Sequence, residues 1–241
     1  MRVAVLSDIH ANLVALDAVL AAIGDVDAIW HLGDVVGYGP EPDGVVQRLE
    51  ATGAIGVAGN HDRAATGGPE IDWFNPDARA AMEWTRTRIS PETTRWLNAQ
   101  PVRRTEADRL LVHGSPRDPL WEYITSASVA GANFEALSTG VGLFGHTHIP
   151  AAWLERDGRV EGTEPAASSS VRLEEGTRAL LNPGSVGQPR DGDPRASWLE
   201  LDGDAGTVTW RRTEYDVPAV QREMRSAGLP VRLIERLRHG L

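Results

Sequence analysis

Hydrophobic residues fall along this chain in short blocks, and each block ends in the same kind of way. Val3-Ala4-Val5-Leu6 runs into Ser7-Asp8-Ile9-His10, and Ala28-Ile29-Trp30-His31-Leu32 runs into Gly33-Asp34. Ala54-Ile55-Gly56-Val57-Ala58 runs into Gly59-Asn60-His61-Asp62, and Leu110-Leu111-Val112 into His113-Gly114. Val141-Gly142-Leu143-Phe144 meets Gly145-His146-Thr147-His148, and Leu180-Leu181 leads to Asn182-Pro183-Gly184-Ser185. Apolar runs of this length bounded by turn residues read as buried strands. In extended backbone, residues i and i+2 point to one side, so His146 and His148 are expected to face one site together.

Between the first three runs the period becomes helical. Leu13, Leu16, Val19, Leu20 and Ile23 share a face, with Asn12 as N-cap and Gly24 beyond the C-terminus. A turn at Gly37-Tyr38-Gly39-Pro40 precedes a short helix through Val45, Val46 and Leu49 to Gly53. The β-α-β-α-β order predicts parallel strands with helices on the faces, the third strand ending at Asn60. Residues 72–100 read as helical, with cap-plus-proline starts at Asn75-Pro76 and Ser90-Pro91. A strand to His113, a loop from Gly114 to Pro119, a helix around Val129 to Leu137 and the strand to His146 follow. Residues 161–176 read as a polar surface loop. Ala196 to Leu201 and Thr207 to Arg211, joined at Asp202-Gly203-Asp204, read as a hairpin, and Pro218 to Leu241 as one amphipathic helix. No linker or repeat divides the chain, so one domain over residues 1–241 is expected.

The formal charge of −10 argues against an extended nucleic-acid surface or an anionic membrane as partner, since both call for a basic face. It leaves room for a small phosphorylated substrate at a locally positive site, and a homo-oligomer is compatible with it. The absence of cysteine removes disulfides, thiolate ligands and cysteine nucleophiles. The first apolar run is too short for a signal peptide and no run approaches a membrane span, so a cytoplasmic location is expected.

In parallel α/β sheets, sites form beyond the carboxyl ends of the strands. Asp8, His10, Asp34, Asn60, His113, His146 and His148 all stand at such ends. Seven nitrogen and oxygen donors are too many for one ion but suit two that share a carboxylate, and the mix suits Mn, Fe, Co, Ni or Zn. His31, inside its strand, reads as packing or support, and His239 as a surface residue. The tryptophans, including Trp73, Trp84 and Trp96, read as packing, as does Phe74.

In this order the motifs Asp8-x-His10, Gly33-Asp34, Gly59-Asn60-His61-Asp62, His113-Gly114 and Gly145-His146-x-His148 resemble the calcineurin-like metallophosphoesterase superfamily. Asp8-Ile-His-Ala-Asn, Leu32-Gly-Asp-Val-Val-Gly-Tyr-Gly-Pro and Asn182-Pro-Gly-Ser are similar to its compact bacterial and archaeal branch of YfcE-type phosphodiesterases. Gly37 stands where many members carry a second Asp, a departure usual in that branch. The resemblance implies an α/β fold, a four-layer αββα sandwich of two mixed sheets, with the metal site at the C-terminal ends of the strands. It implies one ion, manganese first among the candidates, on Asp8, His10, Asp34 and His148. A second would sit on Asp34, Asn60, His113 and His146, with Asp34 bridging. His61, oriented by Asp62, would face the scissile phosphate, and Tyr38 and Arg117 lie on loops that could reach substrate. The implied reaction is hydrolysis of a phosphate ester, a diester or nucleotide first, by a hydroxide shared between the ions. A monoester, phosphoprotein or dinucleoside polyphosphate is the alternative substrate, and a non-catalytic scaffold the remote one.

Overall fold

The computed structural model describes residues 1–174 and 176–241. Its first half carries β1 (Arg2–Leu6), α1 (Leu13–Ala22), β2 (Ala28–His31), α2 (Pro42–Thr52), β3 (Ile55–Gly56) and α3 (Asn60–Ala65). A 3-10 turn (Pro69–Trp73), α4 (Pro76–Arg86), α5 (Pro91–Ala99), β4 (Arg103–Glu106) and β5 (Arg109–Val112) follow. The second half carries α6 (Ala127–Ala136), β6 (Val141–Leu143), β7 (Pro150–Arg156), β8 (Arg159–Thr163), β9 (Ser170–Arg172) and β10 (Arg178–Pro183). The chain closes with β11 (Ala196–Asp202), β12 (Thr207–Thr213), α7 (Val217–Ser226) and α8 (Val231–Arg236).

The strands form two six-stranded sheets, ordered β3-β2-β1-β11-β12-β9 and β4-β5-β6-β10-β7-β8. Both are mixed. β1–β2, β2–β3, β5–β6 and β6–β10 are parallel, and the other ladders antiparallel. Side-chain alternation along each strand builds the layers. Val3 and Val5 of β1 point to a core shared with Leu111, Leu143, Ala179 and Leu181 of the second sheet, so the sheets pack face to face. Ala4 and Leu6 point the other way, against Leu16 and Val19 of α1 and Val45 and Leu49 of α2. Leu110, Val112 and Leu180 turn outward to Ala130 and Phe134 of α6. Helix, sheet, sheet and helix thus stack in the four layers the resemblance implies. The central contact is the costliest to damage, with truncation of Leu111 or Leu181 to Ala expected to cost about 2–5 kcal/mol.

The caps behave as the sequence predicts. Asn12, Asn75 and Ser90 each accept a backbone N–H three residues on, from Ala15, Ala78 and Thr93. Three expectations change. The third strand is only Ile55–Gly56, because the Ala58 N–H turns out of the ladder to Pro101 O and Asn60 opens α3 instead. The expected loop 161–176 holds the end of β8 and all of β9, which pairs with Thr207–Thr209 of β12. Edge strands wet on one face tolerate this polar composition; Glu175 lies outside the described residues. Residues 72–100 hold two helices that begin at the two expected cap-plus-proline starts, and Gln100 is already extended. The tail is likewise two helices, split where Gly228 turns left-handed (φ 72°) ahead of Pro230. No helix among the described residues is long and apolar enough to cross a membrane.

Candidate metal centre

All seven donors predicted from the strand ends converge, and all are buried. Asp8, His10 and His148 offer ligand atoms within 4.8 Å of one another, and so do Asp34, His113 and His146. Asp34 joins the two groups. Its Oδ2 lies 3.7 Å from His10 Nε2 and 3.4 Å from His113 Nε2, while its Oδ1 accepts the His61 N–H at 2.9 Å. Asn60 Oδ1 is 3.0 Å from His113 Nε2. Three histidines are aimed by backbone carbonyls behind them: His10 Nδ1 faces Val36 O (3.2 Å), His113 Nδ1 faces Leu32 O (2.8 Å) and His148 Nδ1 faces Gln188 O (2.6 Å). An Nδ1–H donated to a carbonyl leaves the Nε2 lone pair free toward the centre.

The backbone reaches this arrangement by an unusual route. Asp8, His10, Asp34, Tyr38, His146 and His148 all have φ between 49° and 66°. Left-handed backbone costs a non-glycine residue about 1–2 kcal/mol. His146 and His148 therefore do not share a side as neighbours on an extended strand. Each sits in its own left-handed turn after β6 has ended, and the two serve different groups, His148 beside Asp8 and His146 beside His113.

The donor chemistry fits divalent cations. His10 Nε2 and His148 Nε2 face each other at 3.1 Å, as do His113 Nε2 and His146 Nδ1 at 3.0 Å, so lone pairs meet unless a cation lies between. Asp8 Oδ1 and His146 Nε2 are buried with no hydrogen-bond partner, while Asp8 Oδ2 is held by Ser7 Oγ (2.6 Å) and the His146 N–H (3.1 Å). Protons take up part of the imbalance. Burial, with Asp34 adding to it, pushes the Asp8 carboxyl up to about 6. Burial would lower His113, yet the Asp34 carboxylate against it raises it to about 9. Burial would likewise raise Asp34, yet His113 and His61 hold it well below the usual range. Burial holds His10, His146 and His148 well below the ordinary histidine range, with the Arg190 charge adding to the effect.

His61 lies beside the donors, its ring 4.9 Å from His10, 4.5 Å from Tyr38 and 4.4 Å from Phe74. Burial pushes its imidazole down to about 4. The expected support from Asp62 is not made. As the third residue of α3, Asp62 turns back to the helix start, where Oδ2 accepts the Gly59 N–H (3.0 Å) and Oδ1 the N–H groups of Val35 and Val36 (2.9 and 3.1 Å). Asp62 therefore holds the loop that carries Asp34. His61 Nδ1 is buried without a partner, and it fills the space over Gly37, where a Cβ would meet it at 2.5 Å. The room for a side chain at position 37 is thus taken by His61 itself.

Tyr38 lines the centre as expected, 4.6 Å from His10. Arg117 does not present a free charge. It is exposed and paired with Glu122 through both Nε and a terminal nitrogen, and Ser115 Oγ and Asn133 Nδ2 donate to the same carboxylate. The cation at the site is Arg190. Its guanidinium stacks over Tyr38 at 5.8 Å and a terminal nitrogen donates to Gln188 Oε1 (2.8 Å), while its backbone N–H donates to His148 O (3.3 Å); Nε has no partner. Its position just past the sixth strand-end turn was the available signal. The sequence also gives no warning of an aromatic rim: Tyr123 stacks on His146 at 4.0 Å, Trp121 stands 6.3 Å from the same ring, and Trp73 meets Trp121 at 5.0 Å. Trp73 is 69% exposed, so the packing role expected of it does not hold.

Two mixed sheets carrying this Asp, Asn and His cluster at their parallel strand ends define a class, and the chain belongs to the calcineurin-like phosphoesterase superfamily. The model of that superfamily's domain matches residues 1–204, which include every donor. The uncharacterized protein MJ0912 of Methanocaldococcus jannaschii is 35% identical over 98% of this chain and 96% of its own length. The phosphodiesterase YfcE of Escherichia coli K12 is 29% identical over 86% of this chain and 91% of its own. A crystal structure of a metallophosphoesterase from Sphaerobacter thermophilus superposes over all of both chains, with TM-score 0.92 and 44% identity. Membership and the His/Asp clusters together point to divalent metal binding.

Proposed function

We propose that this chain is a dinuclear metal-dependent hydrolase of phosphate esters, with phosphodiesters or nucleotides as its preferred substrates. The observation that carries the reading is Asp34 Oδ2, poised between His10 and His113 so that one carboxylate can serve two groups of donors. Asp8, His10, Asp34 and His148 would hold one ion, and Asp34, Asn60, His113 and His146 the other, with Mn²⁺ the first choice among metals suited to mixed nitrogen and oxygen donors. Such ions, when bound, polarise the phosphoryl oxygens and lower the pKa of water. The diester preference draws support from the relative named as a phosphodiesterase.

The chain's own residues have three tasks. The carbonyls of Val36, Leu32 and Gln188 keep His10, His113 and His148 in one tautomer and orientation. Arg190, its Nε unpaired, binds a non-bridging phosphate oxygen and sets the ester's orientation above Tyr38. His61 gives a proton to the leaving oxygen, because a phosphate seated beside it raises the proton affinity that burial lowers in the free protein.

Metal analysis and diester turnover test this reading. Purified protein loaded with Mn²⁺ should hold close to two ions per chain and hydrolyse a diester, and chelator should abolish turnover. Asp34→Asn should lose most of at least one ion, because a single charge serves both groups. Full turnover in protein stripped of metal, or an unchanged metal content in Asp34→Asn, overturns the proposal.

A further inference from the structure

The aromatic rim points to a subsite that the metal cluster does not explain. Only two aromatic side chains stand among the strongly exposed large hydrophobic residues described, Trp73 (69%) and Tyr123 (48%), and they come from different segments to the same face. Trp73 ends the 3-10 turn after α3, while Trp121 and Tyr123 lie between β5 and α6. The two segments meet through Trp73 and Trp121, whose rings cross edge to face at 5.0 Å, with Phe74 6.1 Å from Trp121. The wall reaches the candidate metal centre at both ends: Phe74 stacks on His61 at 4.4 Å, and Tyr123 on His146 at 4.0 Å. Exposed rings that adjoin one another mark an interaction site more often than scattered ones do.

We propose that this wall is the binding subsite for the nucleobase of a nucleoside phosphate ester, the base stacking on one of the crossed Trp73 and Trp121 rings with its edge against the other while its phosphate sits at the metal centre. The proposal rests on the phosphoester reading of that centre and adds the residues that would select a nucleoside over other phosphate esters. Three observations select a base over other apolar groups. First, the wall consists of flat rings rather than aliphatic side chains, and rings recognise rings whatever their hydrogen-bonding edge. Second, the platform begins beside His146 and runs outward through Trp121 to Trp73, so a group joined to the phosphate through one sugar falls on it. Third, Arg190 stacks on Tyr38, which adjoins His61 at the wall's Phe74 end, so an anion-binding charge and the ring platform flank the same cluster.

Binding of adenosine 5′-monophosphate and of ribose 5-phosphate to metal-loaded protein, measured by calorimetry, tests the wall without requiring turnover. The nucleotide should bind at least about tenfold more tightly, the effect of stacking one base. Trp73→Ala should erase most of that preference, and Trp73→Phe should keep most of it. Because Trp73 is mostly exposed, its variants should melt with the wild type. Trp121→Ala, with its melting checked, is the second arm and should reduce the preference likewise. Equal binding of the two phosphates by wild-type protein overturns the subsite even if diesters are hydrolysed. An undiminished preference in both alanine variants overturns it too, as does a Trp73→Ala change in oligomeric state with the preference intact, which would make the wall a contact between copies. A nucleotide preference lost on mutation, in a protein that hydrolyses no ester, supports the wall and instead removes the catalytic proposal.

Discussion

His31 offers a measurement of what this core tolerates. It ends β2, fully buried, with its ring stacked on Trp96 at 5.4 Å and neither ring nitrogen hydrogen-bonded. Arg104, whose Nε reaches Gly56 O, adds a nearby positive charge. Burial first, and Arg104 second, push the imidazole down to about 3. The unfolded chain takes up a proton near the ordinary histidine value of about 6.5, whereas the folded chain resists it. The sign follows directly: this contribution to stability is complete above pH 6.5 and is lost as pH falls toward 3. With these two values the loss between pH 7 and pH 5 is about 2 kcal/mol, and by pH 4 about 3 kcal/mol. His31→Leu keeps a similar volume and removes the titration. Its own repacking cost, about 1.5 kcal/mol or less, does not change with pH. Thermal melts of both proteins in chelator, at pH 7 and pH 5, isolate the difference, because the metal-site groups are common to both. The wild type should lose about 4–8 °C more than His31→Leu over that interval. Parallel curves would refute the reasoning and mean that the buried imidazole finds a proton partner the folded structure does not reveal.

The remaining predictions concern the candidate centre. His61→Gln should keep its metal and lose about 10²–10⁴ in kcat on a diester with an alkyl leaving group, and clearly less on a nitrophenyl ester. Equal losses on both would assign His61 to charge stabilisation instead. Arg190→Gln should raise KM about tenfold to a hundredfold with metal content unchanged, the effect of losing one charged hydrogen bond, and Arg190→Lys should recover part of it. An unaltered KM would show that Arg190 serves only to pack Tyr38.

The donors were legible because they obey a one-dimensional rule: an apolar run that ends in Asp, Asn or His, in four cases beside a glycine. Neither the residues that shape access to them nor those that hold them obey such a rule. Arg117 and Arg190 look alike in sequence, each in a polar loop after a strand end. Only the fold shows that Glu122 captures the first, while the second lies over Tyr38 with Nε free. Trp73 and Trp121 are 48 positions apart and become a wall only when two loops close on each other. Asp62 follows His61 directly in the chain, but helix geometry sends a residue at the third helical position back to the cap. β9 was hidden for a related reason: Ser170–Arg172 lies at an edge, where burial imposes too little hydrophobic pattern to recognise.

Strain and charge accumulate at one place in this molecule, and they explain each other. A left-handed turn lets a strand end swing its side chain sideways, which is how Asp8 and His10, or His146 and His148, present donors within three residues of chain. Six such turns at about 1–2 kcal/mol each are a large sum beside a typical folding stability of 5–15 kcal/mol. The two buried carboxylates and the facing imidazoles add to it. The surroundings are accordingly rigid: Ser185 Oγ donates to Asp8 O, Asn182 Nδ2 to Gly145 O, and Gly59 is bare of a Cβ that would overlap Asp34 Oδ1. These contacts hold the turns, but they leave the electrostatic cost standing. A pair of divalent cations would offset that cost by replacing the proton on His113 and separating the lone pairs of His10 and His148. On this account the features that destabilise the metal-free chain are the same ones that select its ligand, and a variant that relieved them would be more stable and would bind metal less well.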